Sequence, residues 1–157
     1  MTPPPPFPWV RTSTSVADTL AAAAEVARGL RGGECVALHG DLGAGKTQFV
    51  RGLVAGLGGD PRQVSSPTFV LLHVYDTPRL RVYHLDAYRV AGPEDFEAIG
   101  FAELLDQPDA VVVVEWAARV AALLPPAGRR IDVHLDHTGE TARTITVGRE
   151  DDARTGR

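Results

Sequence analysis

The chain has 157 residues, of which 44% are hydrophobic and 23% charged, with a formal net charge of −4; that length suits one domain, able to bury about 68–70% of its unfolded surface. No apolar run approaches the roughly 18 residues a membrane span needs, the first residues lack the basic and apolar stretches of a secretory signal, and Cys35, the single cysteine, has no intrachain disulfide partner. A cytoplasmic location without membrane association is expected, and the acidic balance argues against a free-standing nucleic-acid binder, which needs a clustered basic face.

In chain order, residues 1–12 open on a proline-rich stretch and read as a flexible extension, because proline fixes φ and donates no backbone hydrogen bond; a proline-motif ligand is the alternative. A single domain is expected over residues 13–149, followed by a polar tail over 150–157. Ser15-Val16-Ala17-Asp18 has the form of a capping box. Leu20, Ala23, Ala24, Ala27 and Leu30 then recur at helical spacing, which predicts a helix from about 15 to 31 ended by Gly32-Gly33. Cys35-Val36-Ala37-Leu38 is a short apolar run suited to a strand buried on both faces, with Cys35 a core residue. A glycine-rich loop over 40–47 leads into a second helix that closes at Gly58-Gly59-Asp60-Pro61. Residues 68–75 and 80–86 read as an antiparallel hairpin around Asp76-Thr77-Pro78-Arg79. Pro93-Glu94-Asp95 starts a short helix, 111–114 form a buried strand, and a helix from about 116 to 123 stops at Pro125-Pro126. Residues 131–135 and 144–147 alternate apolar with polar and pair as a second hairpin.

Gly40-Asp41-Leu42-Gly43-Ala44-Gly45-Lys46-Thr47 matches G-x-x-x-x-G-K-[ST] at every position. In such a phosphate loop, or P-loop, backbone N–H groups surround phosphate oxygens, the lysine contacts the β/γ-phosphates and the threonine hydroxyl binds Mg²⁺. A buried strand before it and an amphipathic helix after it are the right context. The sixteen basic residues are fifteen arginines and one lysine. That lysine, Lys46, falls where a compact ammonium on a flexible stem does what a planar guanidinium cannot. The expected fold class is α/β: a P-loop NTPase-like three-layer fold, a mixed central sheet with flanking helices and two antiparallel hairpins.

Nucleotide chemistry also needs a carboxylate for the metal or its water. Glu115 follows four valines at the carboxyl end of a strand, where ligands bind in such sheets; a plain exposed strand-end acid is the alternative. Asp86 ends the other candidate strand, and His84 shares its face because strand side chains alternate; a turn or cap aspartate is its alternative. Lys46, Asp86 and Glu115 are the candidate catalytic residues, and Thr47, Glu115 and Asp86 the candidate metal ligands. The hydroxyls of Ser65-Ser66-Pro67-Thr68 suit either an ordinary loop or a γ-phosphate sensor. His39, His73, His134 and His137 have no zinc-ligand spacing and read as core or surface residues. A guanine-selecting Asn-Lys-x-Asp motif would need a second lysine, so adenine is the default base, and ATP with Mg²⁺ are the expected cofactors. A small-metabolite kinase would need an arginine-bearing lid, which residues 90–130 do not suggest; a nucleotide-dependent adaptor without turnover remains open.

The P-loop, Val64-Ser65-Ser66-Pro67-Thr68-Phe69, Tyr83-His84-Leu85-Asp86-Ala87-Tyr88-Arg89 and Val114-Glu115-Trp116, in that order and spacing, resemble the TsaE (YjeE) family of small bacterial P-loop ATPases over residues 13–148. The resemblance implies a role in placing the N6-threonylcarbamoyl group on adenosine 37 of tRNAs that read codons beginning with A, with TsaD and TsaB as partners. ATP hydrolysis would reset that complex between turnovers, slowly in the absence of partners, and contact with tRNA would be indirect. Residue by residue, it implies that Lys46 binds phosphate, Thr47 and Glu115 hold the metal, and Asp86 positions water or joins the metal. Ser66, Pro67 and Thr68 match a switch-like segment. Ser15 and Val16 would border the adenine and Arg143 would reach the phosphates, while Trp116 meets nucleotide, partner or core. Ala87, Glu140 and the residues 3–8 depart from the family pattern, and Glu140 weakens the case for a second arginine contact.

Overall fold

The computed structural model describes residues 7–41 and 43–148. Leu42, the first six residues of the proline-rich stretch and the expected tail at 150–157 lie outside the described residues. The two most apolar runs form the centre of a seven-stranded sheet, as expected for strands covered on both faces. Strand β2 (Cys35–His39) runs parallel to β5 (Ala110–Glu115), with Val36 opposite Val113, and parallel on its other side to β6 (Arg130–His137). Beyond β5 lie β4 (Arg81–Asp86), parallel to it, and β3 (Leu72–Asp76), the antiparallel hairpin partner of β4. Beyond β6 lie β7 (Arg143–Gly148) and β1 (Trp9–Ser13), both antiparallel to their neighbours, giving the order β1-β7-β6-β2-β5-β4-β3. Both expected hairpins are present.

Side-chain alternation along the central strands divides the core in two. Val36, Leu38, Val111 and Val113 pack under helices α1 (Val16–Arg28) and α2 (Lys46–Gly56). Ala37, Val112 and Val114 face the opposite side, where Phe96 of α3 (Glu94–Ala98) and Phe101 of α4 (Phe101–Leu105) cover them. The expected three layers are therefore helix, mixed sheet, helix. Ser15 caps α1, its hydroxyl accepting from Asp18 N at 3.1 Å, while Asp18 accepts from Thr14 N at 2.9 Å. Helices α1 and α2 approach closely because Gly52 faces Ala23 and the Leu20 backbone: a Cβ at 52 would stand 2.6 Å from Leu20 O. Cys35 is buried, and burial pushes its thiol pKa up to about 12. No helix among the described residues is long and apolar enough to cross a membrane.

Four expectations need correction. Residues 9–12 are not part of a flexible extension: Trp9–Ser13 pairs with β7, and burial of the Trp9 indole, 7% exposed, anchors the strand. Residues 68–71 are not strand, since Val70 N and Leu71 N both donate to Pro67 O and Leu71 adopts a left-handed φ of 73°. The helix expected from about 116 is a 3₁₀ segment, Ala117–Leu123, kinked at Val120. Helix α4 lies in a segment where no element was expected, docked through Phe101, 2% exposed.

Candidate functional site

The carboxyl ends of the parallel strands β2, β4 and β5 meet the amino end of α2 at a cleft of about 490 Å³. The loop from β2 to α2 turns back on itself, and Gly40 is required there because a Cβ would stand 2.6 Å from Leu135 O. Ala44 is buried beneath the loop, its N–H donating to Asp41 O at 3.1 Å. Gly45, at φ 103°, caps α2 and directs the first turn toward the cleft, where the helix N-terminus presents partial positive charge and free N–H groups.

Lys46 is 5% exposed. Its Nζ donates to Gly40 O at 2.6 Å and Asp41 O at 2.8 Å and lies 4.1 Å from the Trp116 ring centroid. Burial lowers its pKa, opposed by the charges of Glu115, Asp86 and Asp41. The Thr47 hydroxyl lies 3.1 Å from Glu115 Oε2 and 3.3 Å from Oε1, to one of which it donates. Glu115 is 3% exposed, and Oε2 also takes a hydrogen bond from His84 Nε2 at 2.6 Å. Asp86 sits beside Glu115 in register across β4 and β5. Its Oδ2 accepts from Thr68 Oγ1 at 2.7 Å and Ser66 Oγ at 3.2 Å, and its Oδ1 from Tyr88 N at 2.8 Å.

These contacts bring together most residues singled out from the sequence. Lys46, Thr47, Asp86, Glu115, Ser66 and Thr68 converge on one cleft. Pro67 contributes its carbonyl to the turn rather than a cleft contact. Ser15 and Val16 line the far end of the cleft, the Ser15 hydroxyl serving as the α1 cap. Arg143 spans from β7 to the loop, Nη2 donating to Gly43 O at 2.9 Å, and its buried Nε has no hydrogen-bond partner among the described residues. Trp116 takes a left-handed φ of 58° and packs its ring 4.9 Å from that of Tyr88. His39 and His134 stack at 4.5 Å between ring centroids, with His39 Nε2 3.0 Å from Asp132 Oδ1, outside the large cleft.

Sequence reasoning missed the role of His84, which is fully buried and bonded to Glu115. The period-two spacing from Asp86 placed it on the right face, but only the pairing of β4 with β5 supplies its partner. Tyr88, Gln48 and Arg51 also line the cleft; Tyr88 belongs to the motif around Asp86 but was given no role of its own, and Gln48 and Arg51 carried no motif signal beyond their place after the P-loop.

The donors present are hard oxygens, a hydroxyl and a carboxylate, which suit Mg²⁺. Among the described residues no group of three or more His, Cys, Asp or Glu could hold a metal ion by itself. A site with one or two protein oxygens completed by phosphate and water is the arrangement Mg²⁺ commonly takes.

A glycine-rich loop between a buried parallel strand and a helix, with its threonine on the acid that ends the neighbouring strand, makes this a P-loop NTPase-like α/β protein. The family model described as "Threonylcarbamoyl adenosine biosynthesis protein TsaE" matches residues 13–145. Proteins named tRNA threonylcarbamoyladenosine biosynthesis protein TsaE are similar to it. That of Treponema pallidum is 48% identical over 135 residues, 86% of this chain and 96% of its own length. That of Rickettsia prowazekii is 36% identical over 124 residues, 79% and 83%. The crystal structure of Bacillus subtilis YdiB superposes with a TM-score of 0.69 at 26% identity, covering 96% of this chain and 97% of that one. The chain belongs to the TsaE family.

Proposed function

We propose that this protein binds ATP with Mg²⁺ and hydrolyses it to ADP and phosphate in the service of tRNA threonylcarbamoyladenosine formation. The observation that carries the reading is the Thr47–Glu115 contact beneath the P-loop, which puts the two oxygen donors needed beside a nucleotide's phosphates next to each other. Thr47 and Glu115 would hold Mg²⁺, whose charge, when bound, offsets negative charge on the β- and γ-phosphates. Lys46 leaves the Gly40 and Asp41 carbonyls for the phosphates, an exchange favoured because a phosphate is a charged acceptor. Asp86, aligned by Thr68, Ser66 and Tyr88 N, is the better-placed acid to orient water, because Glu115 is already occupied by Thr47 and His84. Arg143 would add positive charge at the loop.

Turnover is slow in the isolated chain, and the TsaD and TsaB proteins supply or order what is missing. The net charge of −4 supports docking on proteins rather than direct capture of tRNA. The test is ATP hydrolysis by the purified chain, alone and with TsaD and TsaB from the same source. Stimulation by the partners is expected. ATP binding without stimulated hydrolysis would favour the adaptor reading, and failure to bind ATP would refute the assignment of the loop.

A further inference from the structure

We propose that His84 and Tyr75 are positioning residues that couple the Glu115 carboxylate to the Ser65–Thr68 segment; their effect on turnover rests on the ATPase reading above. Both lie on the sheet face covered by α1 and α2, among Val36, Val82, Val111 and Val113. His84 is fully buried and Tyr75 is 5% exposed. A histidine in such an apolar layer is costly unless both ring nitrogens are satisfied, and here both are. Nε2 donates to Glu115 Oε2 at 2.6 Å, and Nδ1 lies 3.0 Å from Tyr75 Oη.

Because a carboxylate only accepts, the proton on His84 belongs on Nε2; in the neutral ring Nδ1 is then an acceptor for the tyrosine hydroxyl. Tyr75 Oη is also 3.1 Å from Ser65 O and 3.4 Å from Ser65 N. The tyrosine has one proton, and Ser65 O, His84 Nδ1 and His73 Nδ1, the last at 3.3 Å, lie within reach; with its own proton on Nδ1, His73 donates to Ser65 O at 3.1 Å and leaves His84 Nδ1 as the acceptor for the hydroxyl. With the Ser65 carbonyl served by His73, the tyrosine proton stays on His84 and the link from Ser65 to Glu115 is continuous.

One short segment thus reaches both acids of the site. Ser66 and Thr68 hold Asp86 directly, while Ser65 reaches Glu115 through Tyr75 and His84. Neither His84 nor Tyr75 lines the cleft, so any influence on the reaction passes through the groups they position. A displacement of the segment, by nucleotide or by a docked protein, is felt by both carboxylates together.

Hydrogen exchange on the full chain without nucleotide, combined with steady-state ATPase kinetics, tests this. Tyr75→Phe removes a single oxygen, and His84→Asn removes the link to Glu115. Both are expected to raise amide exchange across residues 65–71 by about tenfold while β2 stays protected, and to lower kcat by about 10–100-fold with KM for ATP changed less than about threefold. Val82→Ala, on the same face but outside the chain of hydrogen bonds, is the control for simple destabilisation and should leave kcat intact. Glu115→Gln should raise exchange across 65–71 in the wild-type background and add nothing in the Tyr75→Phe background. Equal increments in the two backgrounds, or wild-type exchange across 65–71 in His84→Asn, would overturn the coupling. Failure of the wild-type chain to bind ATP would instead overturn the ATPase reading, since the exchange measurement uses no nucleotide.

Discussion

Replacing Glu115 by glutamine removes one charge and keeps the side-chain volume, so it separates metal binding from packing. Glu115 accepts from buried His84 at 2.6 Å and from Thr47 at 3.1 Å. Hydrogen bonds to a charged group contribute about 1.5–3 kcal/mol and neutral ones about 0.5–1.5 kcal/mol. With the amide oxygen on the His84 N–H and the amide nitrogen turned to the Thr47 oxygen, the variant loses about 1–2 kcal/mol of stability, a fall in Tm of about 2–8 °C for a chain of this size. In the proposed nucleotide complex the loss would be of a carboxylate facing Mg²⁺, about 2–2.7 kcal/mol, or roughly 30–100-fold in affinity. Titration with a fluorescent ADP analogue, in Mg²⁺ and in EDTA, reads the two states separately. Affinity should fall about 30–100-fold in Mg²⁺ and change little in EDTA. Equal losses in both would remove Glu115 from the metal site, and a collapse in Tm far beyond the range above would make it a folding element instead.

Lys46→Ala should leave a folded protein whose nucleotide affinity has dropped by about 100-fold or more, the equivalent of two charge-assisted phosphate contacts; unchanged affinity would contradict the phosphate-loop geometry. Gly52→Ala opposes two effects: alanine favours helix by about 1 kcal/mol, but its Cβ would stand 2.6 Å from Leu20 O and Ala23 Cβ, and overpacking costs about 1–3 kcal/mol. Since the contact with Leu20 is to backbone, chemical denaturation should show a net loss of about 1–2 kcal/mol, and a gain would mean that α1 and α2 are free to separate. His134, whose pKa is lowered by burial and by neighbouring His39, binds fewer protons folded than unfolded. Its contribution is therefore fully present above the unfolded value near 6.5 and lost as pH falls below it. Denaturation midpoints should decline from pH 7 to pH 5.5, with a shallower decline in His134→Asn; identical slopes would exclude the stacked pair as the source.

The P-loop was legible because its function is local: a run of backbone N–H groups, a lysine and a hydroxyl must be adjacent in sequence to surround one phosphate. Lys46 was marked further by being the only lysine among sixteen basic residues. The central strands were equally plain, since burial on both faces demands uninterrupted apolar runs such as residues 111–114. Asp86 and Glu115 followed from their places at strand ends.

What the local pattern could not supply was pairing across the chain. The Trp9–Ser13 strand exists because β7 offers an open edge and the core has room for an indole, and prolines upstream hid it. Residues 68–71 have strand-forming composition, yet hydroxyl bonds to Asp86 and the turn at Pro67 hold them out of the sheet. His84 meets Glu115 across 31 residues and Arg143 meets Gly43 across 100, contacts set by strand order rather than spacing. Sequence alone therefore determined which groups make up the candidate phosphate loop; tertiary structure decided which buried partners hold the Glu115 carboxylate in place, because side-chain hydrogen bonds over such separations depend on register and layer.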